Sequence, residues 1–180
     1  MESAIFLDRD GVINEVLTSR VKYVNKPRDF FLLDGVGEAI RLLNEKGLKV
    51  FVVTNQGGVG LGYMREKTLI EVHQRMKDDL AEFGARIDDV AYCPHKPYEG
   101  CACRKPGPKM LVDLAEKHNV DLKRSYMVGD RDPDIEAGKA AGTKTVLVGT
   151  REKVTSKADY IFPDLLAFSK WLVQGTTILD

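Results

Sequence analysis

The sequence predicts an α/β fold, a doubly wound and mostly parallel sheet with helices on both faces. Three observations predict it. Short apolar runs of strand length alternate with stretches whose apolar residues recur at helical spacing. The runs, such as Ala4-Ile5-Phe6-Leu7, are apolar without a break, as in strands buried on both faces. Helices separate successive strands, and such crossovers place the strands parallel.

Ala4–Leu7 reads as the first strand. Residues 12–30 show no clean period and contain Asn25, Pro27 and Asp29, so they read as a long excursion of a kind that is often functional. Asp34 is expected to cap the next helix, whose apolar positions are Val36, Ile40 and Leu43 and which Gly47 ends. Leu48–Val53 is the second strand, and Gly57-Gly58-Val59-Gly60-Leu61-Gly62 a flexible loop. A helix then runs from about Arg65 to Phe83, with Leu69, Val72, Met76, Leu80 and Phe83 on one stripe. Val90–Tyr92 is the third strand. Pro108 opens a helix that turns Leu111, Leu114 and Ala115 inward. Tyr126–Val128 is the fourth strand and ends at Gly129-Asp130. Asp132-Pro133 reads as the cap and first residue of the following helix, which Gly142 closes. Thr145–Val148 is the fifth strand and Tyr160–Phe162 a short sixth, before a helix through Trp171. Residues 1–180 are read as one domain, with no internal repeat.

Lys+Arg and Asp+Glu each number 27, so the net charge is zero and a broad electrostatic grip on nucleic acid is excluded. No apolar run approaches the ~20 residues of a membrane-spanning helix. Met1-Glu2 leads directly into a strand, without the features of a signal peptide. The expectation is a cytoplasmic monomer that binds neither membrane nor nucleic acid.

The chemistry gathers where strands end. Asp8 and Asp10 follow the first strand, two apart and so leaving the backbone on one side, and Gly11 lets the chain turn at once. Asp130, Asp132 and Asp134 follow the fourth strand. Hard oxygens of this kind suit magnesium, and Asp130 is the better ligand because Asp132 is occupied as a cap. Thr54-Asn55-Gln56 follows the second strand and offers a hydroxyl, two amides and loop N–H groups to an anion. Arg104-Lys105 supplies positive charge for phosphate. No G-x-x-x-x-G-K-[ST] loop is present, which disfavours an ATP-using kinase.

The three cysteines all fall in Cys93-Pro94-His95…Cys101-Ala102-Cys103, a C-x-H-x₅-C-x-C set. Three thiolates and an imidazole make a closed tetrahedral site for structural zinc on Cys93, His95, Cys101 and Cys103. His73 is expected to be partly exposed on its helix, and His118 to lie near a helix end where a cation favours the dipole.

Asp8-Arg9-Asp10-Gly11, Thr54, Lys105 and Gly129-Asp130-x-x-x-Asp134 together resemble the motifs of the haloacid dehalogenase (HAD) superfamily over residues 4–148, with Val12 where Thr is usual. The resemblance implies a Rossmann-like HAD fold with a minimal cap and a phosphatase reaction. By it Asp8 is the nucleophile, Asp10 the acid and base, and Thr54 and Lys105 hold phosphoryl oxygens. Mg²⁺ is bound by Asp8, the Asp10 carbonyl and Asp130, while Asp134 bonds a metal water or Lys105. The zinc loop resembles that of the heptose-1,7-bisphosphate and histidinol-phosphate phosphatases. Asn14 and the Thr54–Tyr63 stretch favour the heptose branch, whereas the short x₅ gap favours the other. This branch implies Mg²⁺ and Zn²⁺ as cofactors and a sugar bisphosphate substrate, used in ADP- or GDP-heptose synthesis for cell-surface glycans. Its substrate contacts would be Asn14, Asn55, Gln56, Arg104 and Arg131, with Tyr23 a further candidate in the flap. The rival readings are a histidinol-phosphate phosphatase and a non-catalytic domain that binds phosphometabolites.

Overall fold

β1, Ala4–Leu7, is wholly buried and occupies the middle of a six-stranded sheet. The structure is a computed structural model and describes residues 1–149 and 151–175. β2 (Lys49–Asn55) and β3 (Asp89–Cys93) lie on one side of β1, and β4 (Tyr126–Gly129), β5 (Lys144–Val148) and β6 (Tyr160–Phe162) on the other. The order is β3-β2-β1-β4-β5-β6, with every pair parallel. The chain winds outward from β1, then returns to its far side at β4, so a crevice opens at the carboxyl ends of those two strands. Asp8 and Asp130 are the residues directly beyond them.

Alternation along the strands builds two cores. Ile5, Leu7, Val50, Val52 and Val128 face α1 (Val36–Glu45), α2 (Glu66–Ala81) and α5 (Leu165–Gly175). Ala4, Phe6, Phe51, Val53 and Met127 face α3 (Lys109–His118) and α4 (Asp132–Ala141). Among the described residues no helix is long and apolar enough to cross a membrane.

The expected elements form, with four local corrections. α1 is entered through Gly35 in the left-handed region (φ 80°), with no side-chain cap, so Asp34 does not cap it. α2 ends at Ala81, and the Phe83 ring lies over Gly37 instead of continuing the stripe. His73 is only 5% exposed, so it belongs to the buried face of α2. Asp132 is the first residue of α4 and Arg131 its cap position. The Asp132 carboxylate instead accepts from the backbone N–H groups of Thr155 (2.9 Å) and Ser156 (2.6 Å), pinning the β5–β6 loop beside the crevice.

The excursion over 12–30 holds a single 3₁₀ turn, Pro27–Asp29, and covers one side of the crevice. Its apolar residues Val12, Ile13, Val21, Val24 and Phe30 are buried against the first core, which anchors it without regular structure.

Candidate active site

Lys105 is the cation at the floor of the crevice, and 3% exposed. An ammonium has three N–H donors, and here each has an acceptor. Nζ lies 2.8 Å from Asp8 Oδ1, 2.7 Å from Asp134 Oδ1 and 2.8 Å from the Val53 carbonyl. The backbone of Lys105 is clamped as well: Asn55 accepts its N–H (2.9 Å) and donates to its carbonyl (3.1 Å). These residues come from the ends of β1, β2 and α4 and from the loop before α3, so the sheet order brings them together.

Asp8, Asp130 and Asp134 each present an oxygen within 4.8 Å of the others, and all three are buried. Burial and then the charge of Asp134 push the Asp8 carboxyl up to about 7, with Lys105 opposing. Burial lifts Asp130 to about 6 against the pull of Arg151, and Asp134 adds to the rise. Asp130 Oδ2 makes no hydrogen bond; the Arg151 Nε is 2.8 Å away but its N–H is not aimed at it. Crowded hard oxygens, lifted by burial and then by one another's charge, and with one oxygen unmet, fit Mg²⁺. Two glycines permit the crowding. A Cβ on Gly11, which has φ 84°, would stand 2.1 Å from Asp130 Oδ2, and one on Gly129 would stand 2.1 Å from the Asp134 Cβ. The second oxygen of Asp134 accepts the N–H groups of Asp130 and Arg131, both at 3.2 Å, which fixes α4 to the site.

The Asp10 carboxylate stands apart from that cluster. Arg9 reaches its Oδ1 through Nη2 (2.8 Å) and Nε (3.1 Å), Asn14 donates to the same oxygen (2.9 Å), and Gln56 donates to Oδ2 (3.2 Å). Burial works against its charge, but Arg9 foremost, with Asn14 and Gln56, holds the carboxyl below the usual range.

A cleft of about 680 Å³ opens above these groups. Of the expected substrate contacts, Asn55, Gln56, Arg104 and Arg131 line it, as does Tyr23. Asn14 does not: it is fully buried, its amide spent on Asp10 and on the Glu15 carbonyl. Thr54 is 1% exposed, and its hydroxyl accepts from the Gln56 amide at 2.9 Å. The sequence reading missed Arg9, His73 and Arg151. Arg9 lies between two outward carboxylates, so alternation alone sends it inward. His73 falls four after Leu69 on an apolar stripe. Arg151 belongs to no motif, and only the fold brings it to Asp130.

His73 Nε2 is 3.1 Å from Arg9 Nη1, which can only donate. Burial first, and then the charge of Arg9, push the imidazole down to about 3. A histidine held that far below its free value of 6.5 favours folding above pH 6.5 and loses that contribution as pH falls toward 3. His73→Gln is therefore expected to flatten the acid limb of the stability curve by up to about 1.4 kcal/mol per pH unit between pH 6 and 4. Urea unfolding at stepped pH measures this, and parallel curves for the two proteins would refute it.

The metal loop closes as the spacing implies. Cys93 Sγ is 2.7 Å from Cys103 Sγ, too long for a disulfide, and 3.5 Å from Cys101 Sγ. His95 Nδ1 is 3.4 Å from Cys93 Sγ and 3.2 Å from Cys103 Sγ. All four donor atoms lie within 4.8 Å of one another, and soft sulfur with one nitrogen fits zinc. Cys103 directly precedes Arg104-Lys105, and Arg104 Nη1 reaches the His95 carbonyl at 3.4 Å. Stripping zinc with a chelator is thus expected to lower both melting temperature and activity, each recovering with added zinc. Full activity and unchanged melting in zinc-free protein would refute the link.

A family model for HAD-hydrolase-like proteins matches residues 102–168. The chain is 46% identical over 147 residues to the D-glycero-beta-D-manno-heptose-1,7-bisphosphate 7-phosphatase of Rhodopseudomonas palustris, covering 77% of this chain and 79% of that one. It is 37% identical to the Pseudomonas aeruginosa enzyme of the same name, covering 96% and 98%. Among solved structures it resembles the D,D-heptose 1,7-bisphosphate phosphatase of B. bronchiseptica complexed with magnesium and phosphate, at TM-score 0.87 and 34% identity over 96% of this chain and 99% of that one.

Proposed function

The chain belongs to the HAD-like D-glycero-β-D-manno-heptose-1,7-bisphosphate 7-phosphatase family, and on that premise we propose how its cleft holds and hydrolyses the substrate. It is a magnesium-dependent phosphatase that removes the 7-phosphate of the heptose bisphosphate. The observation that carries the residue roles is the buried Lys105 ammonium held between Asp8 and Asp134 beneath a cleft rimmed by Arg104, Arg131 and Arg151. That is one cation at the reacting phosphate and three arginines at the rim, of which Arg131 also pairs with Glu152 and Arg151 with Asp130.

Bound by Asp8, the Asp10 carbonyl and Asp130, magnesium supplies positive charge that offsets the phosphoryl oxygens. Asp8 attacks phosphorus in line and the bond to the sugar oxygen breaks, leaving an aspartyl phosphate. Asp10 passes a proton to the departing alkoxide. Its donors hold it ionised, so the proton arrives with the monoanionic ester, whose second pKa is about 6. Asp10 then takes a proton from the water that attacks the aspartyl phosphate, which frees Asp8 and inorganic phosphate. Lys105 holds one phosphoryl oxygen by turning to it one of the N–H groups now given to Asp8, Asp134 and the Val53 carbonyl. The Thr54 hydroxyl accepts from the Gln56 amide and so keeps its own O–H to donate to another phosphoryl oxygen. Asn55 and Gln56 meet the sugar, and Arg104 and Arg131 the 1-phosphate. Asn14 holds Asp10 and is withdrawn from the substrate contacts. The proposed substrate is the β anomer, which the names of its relatives specify. The product keeps the anomeric phosphate that transfer to a nucleotide, giving an ADP- or GDP-heptose, requires.

Turnover on the β and α heptose 1,7-bisphosphates, histidinol phosphate and a hexose bisphosphate tests the reading. The β-heptose substrate is expected to have the highest kcat/KM. A higher value for histidinol phosphate would overturn the substrate assignment.

A further inference from the structure

The stripe that α2 presents to the sheet is apolar at Leu69, Val72, Met76 and Leu80, each fully buried. His73 shares that stripe. A polar ring there costs stability unless it has a partner, and its partner is Arg9, the largest fully buried side chain among the described residues. An arginine with no exposure costs more still. The fork of Arg9 has a definite division of labour. Nε and Nη2 hold Asp10 Oδ1, and Nη1 points away to His73 Nε2. Because a guanidinium is planar and rigid, fixing its third corner fixes the direction of the other two.

We infer that His73 is a positioning residue: by accepting the hydrogen bond of Arg9 it aims the guanidinium that holds the Asp10 carboxylate toward the leaving group. The inference rests on the acid–base role proposed above for Asp10. Neither His73 nor Arg9 lines the cleft, so both act only through Asp10. The ring must be unprotonated at Nε2 to accept, in keeping with the depression of its pKa by burial and by Arg9. The Tyr92 ring of β3 also packs against the imidazole, its centroid 5.9 Å from that of His73.

The test separates aim from mere stability by the leaving group. Loss of a well-placed acid slows cleavage of an alkyl phosphate, whose alkoxide needs a proton, far more than that of 4-nitrophenyl phosphate, whose phenolate leaves without one. Removing the acceptor with His73→Leu is expected to lower kcat/KM on the heptose bisphosphate on the order of tenfold or more, with less than about a threefold loss on the aryl ester. His73→Gln, whose amide oxygen can accept from Arg9, is expected to bring the ratio of the two substrates back near wild type. If His73→Leu does not fold, Arg9→Lys, which keeps the charge but not the fork, is measured in its place with the same expected shift. Equal losses on both substrates, or a Gln variant no better than Leu, would overturn the inference. Failure of the underlying reading looks different: Asp10→Asn itself would then lower kcat/KM no more on the heptose bisphosphate than on the aryl ester.

Discussion

Asp8→Asn is expected to reduce turnover by at least about four orders of magnitude while leaving the fold intact. The substitution keeps the side chain's shape and removes only its nucleophilic oxygen. Lys105 retains two of its three acceptors, the Asp134 carboxylate and the Val53 carbonyl, so the floor of the cleft stays assembled. The stability effect has a definite sign. The Asp8 carboxyl is raised from 3.8 to about 7 by burial and by Asp134, so without magnesium its contribution is full below pH 4 and is lost as pH rises through 7. An amide carries no charge to lose. In chelator, Asp8→Asn should therefore melt at or above the wild-type temperature at pH 8. Single-turnover assays and melting curves measure both quantities. Turnover within a hundredfold of wild type would remove Asp8 as the nucleophile.

Lys105→Met should damage stability and catalysis together. The ammonium is the only cation within hydrogen-bond reach of the buried Asp8 and Asp134 carboxylates among the described residues. Removing one member of a buried ion network leaves the rest uncompensated, at a cost of about 3–5 kcal/mol. Loss of a charged donor to the phosphoryl group is expected to lower kcat by a further two to three orders of magnitude, roughly the range for one such donor. The two effects respond differently to magnesium. A dication can neutralise the stranded carboxylates, so the stability loss should shrink as magnesium is raised, while kcat stays low. Denaturant unfolding with and without magnesium reads this. A variant within about 1 kcal/mol of wild type in chelator would show that the network does not hold the site.

The elements that carry the fold were legible because their signals are local. β1, β2 and β4 are apolar runs that stop at Asp8, Thr54 and Gly129-Asp130, and the structure ends them within a residue or two of those points. Their convergence followed from topology, since parallel strands wound both ways from β1 share one rim. What escaped was set by contacts across the chain. Asp34 has a capping side chain, yet the cap position of α1 falls one residue later, on Gly35, whose φ of 80° side-chain-bearing residues rarely adopt. Asp132 has the type and position of a cap, but the β5–β6 loop claims its carboxylate. Asn14 looked available to substrate because nothing local shows that Asp10 occupies its amide. His73 looked half exposed because an imidazole on a helix face is ambiguous until a buried partner is known. The metal loop was legible because both pairs of ligands are close in sequence.

The adjacency of β1 and β4 has a consequence for synthesis: the nucleophile precedes the acidic partners and the lysine in the chain, so it is made before them. A nascent fragment with only β1, β2 and β3 carries Asp8 on a sheet whose central strand still has an open side. Phosphate release is therefore expected only once β4 has paired with β1, which brings Asp130 and Asp134 to Asp8. Two polypeptides divided between β3 and α3 would each be inert, and should gain activity only on mixing.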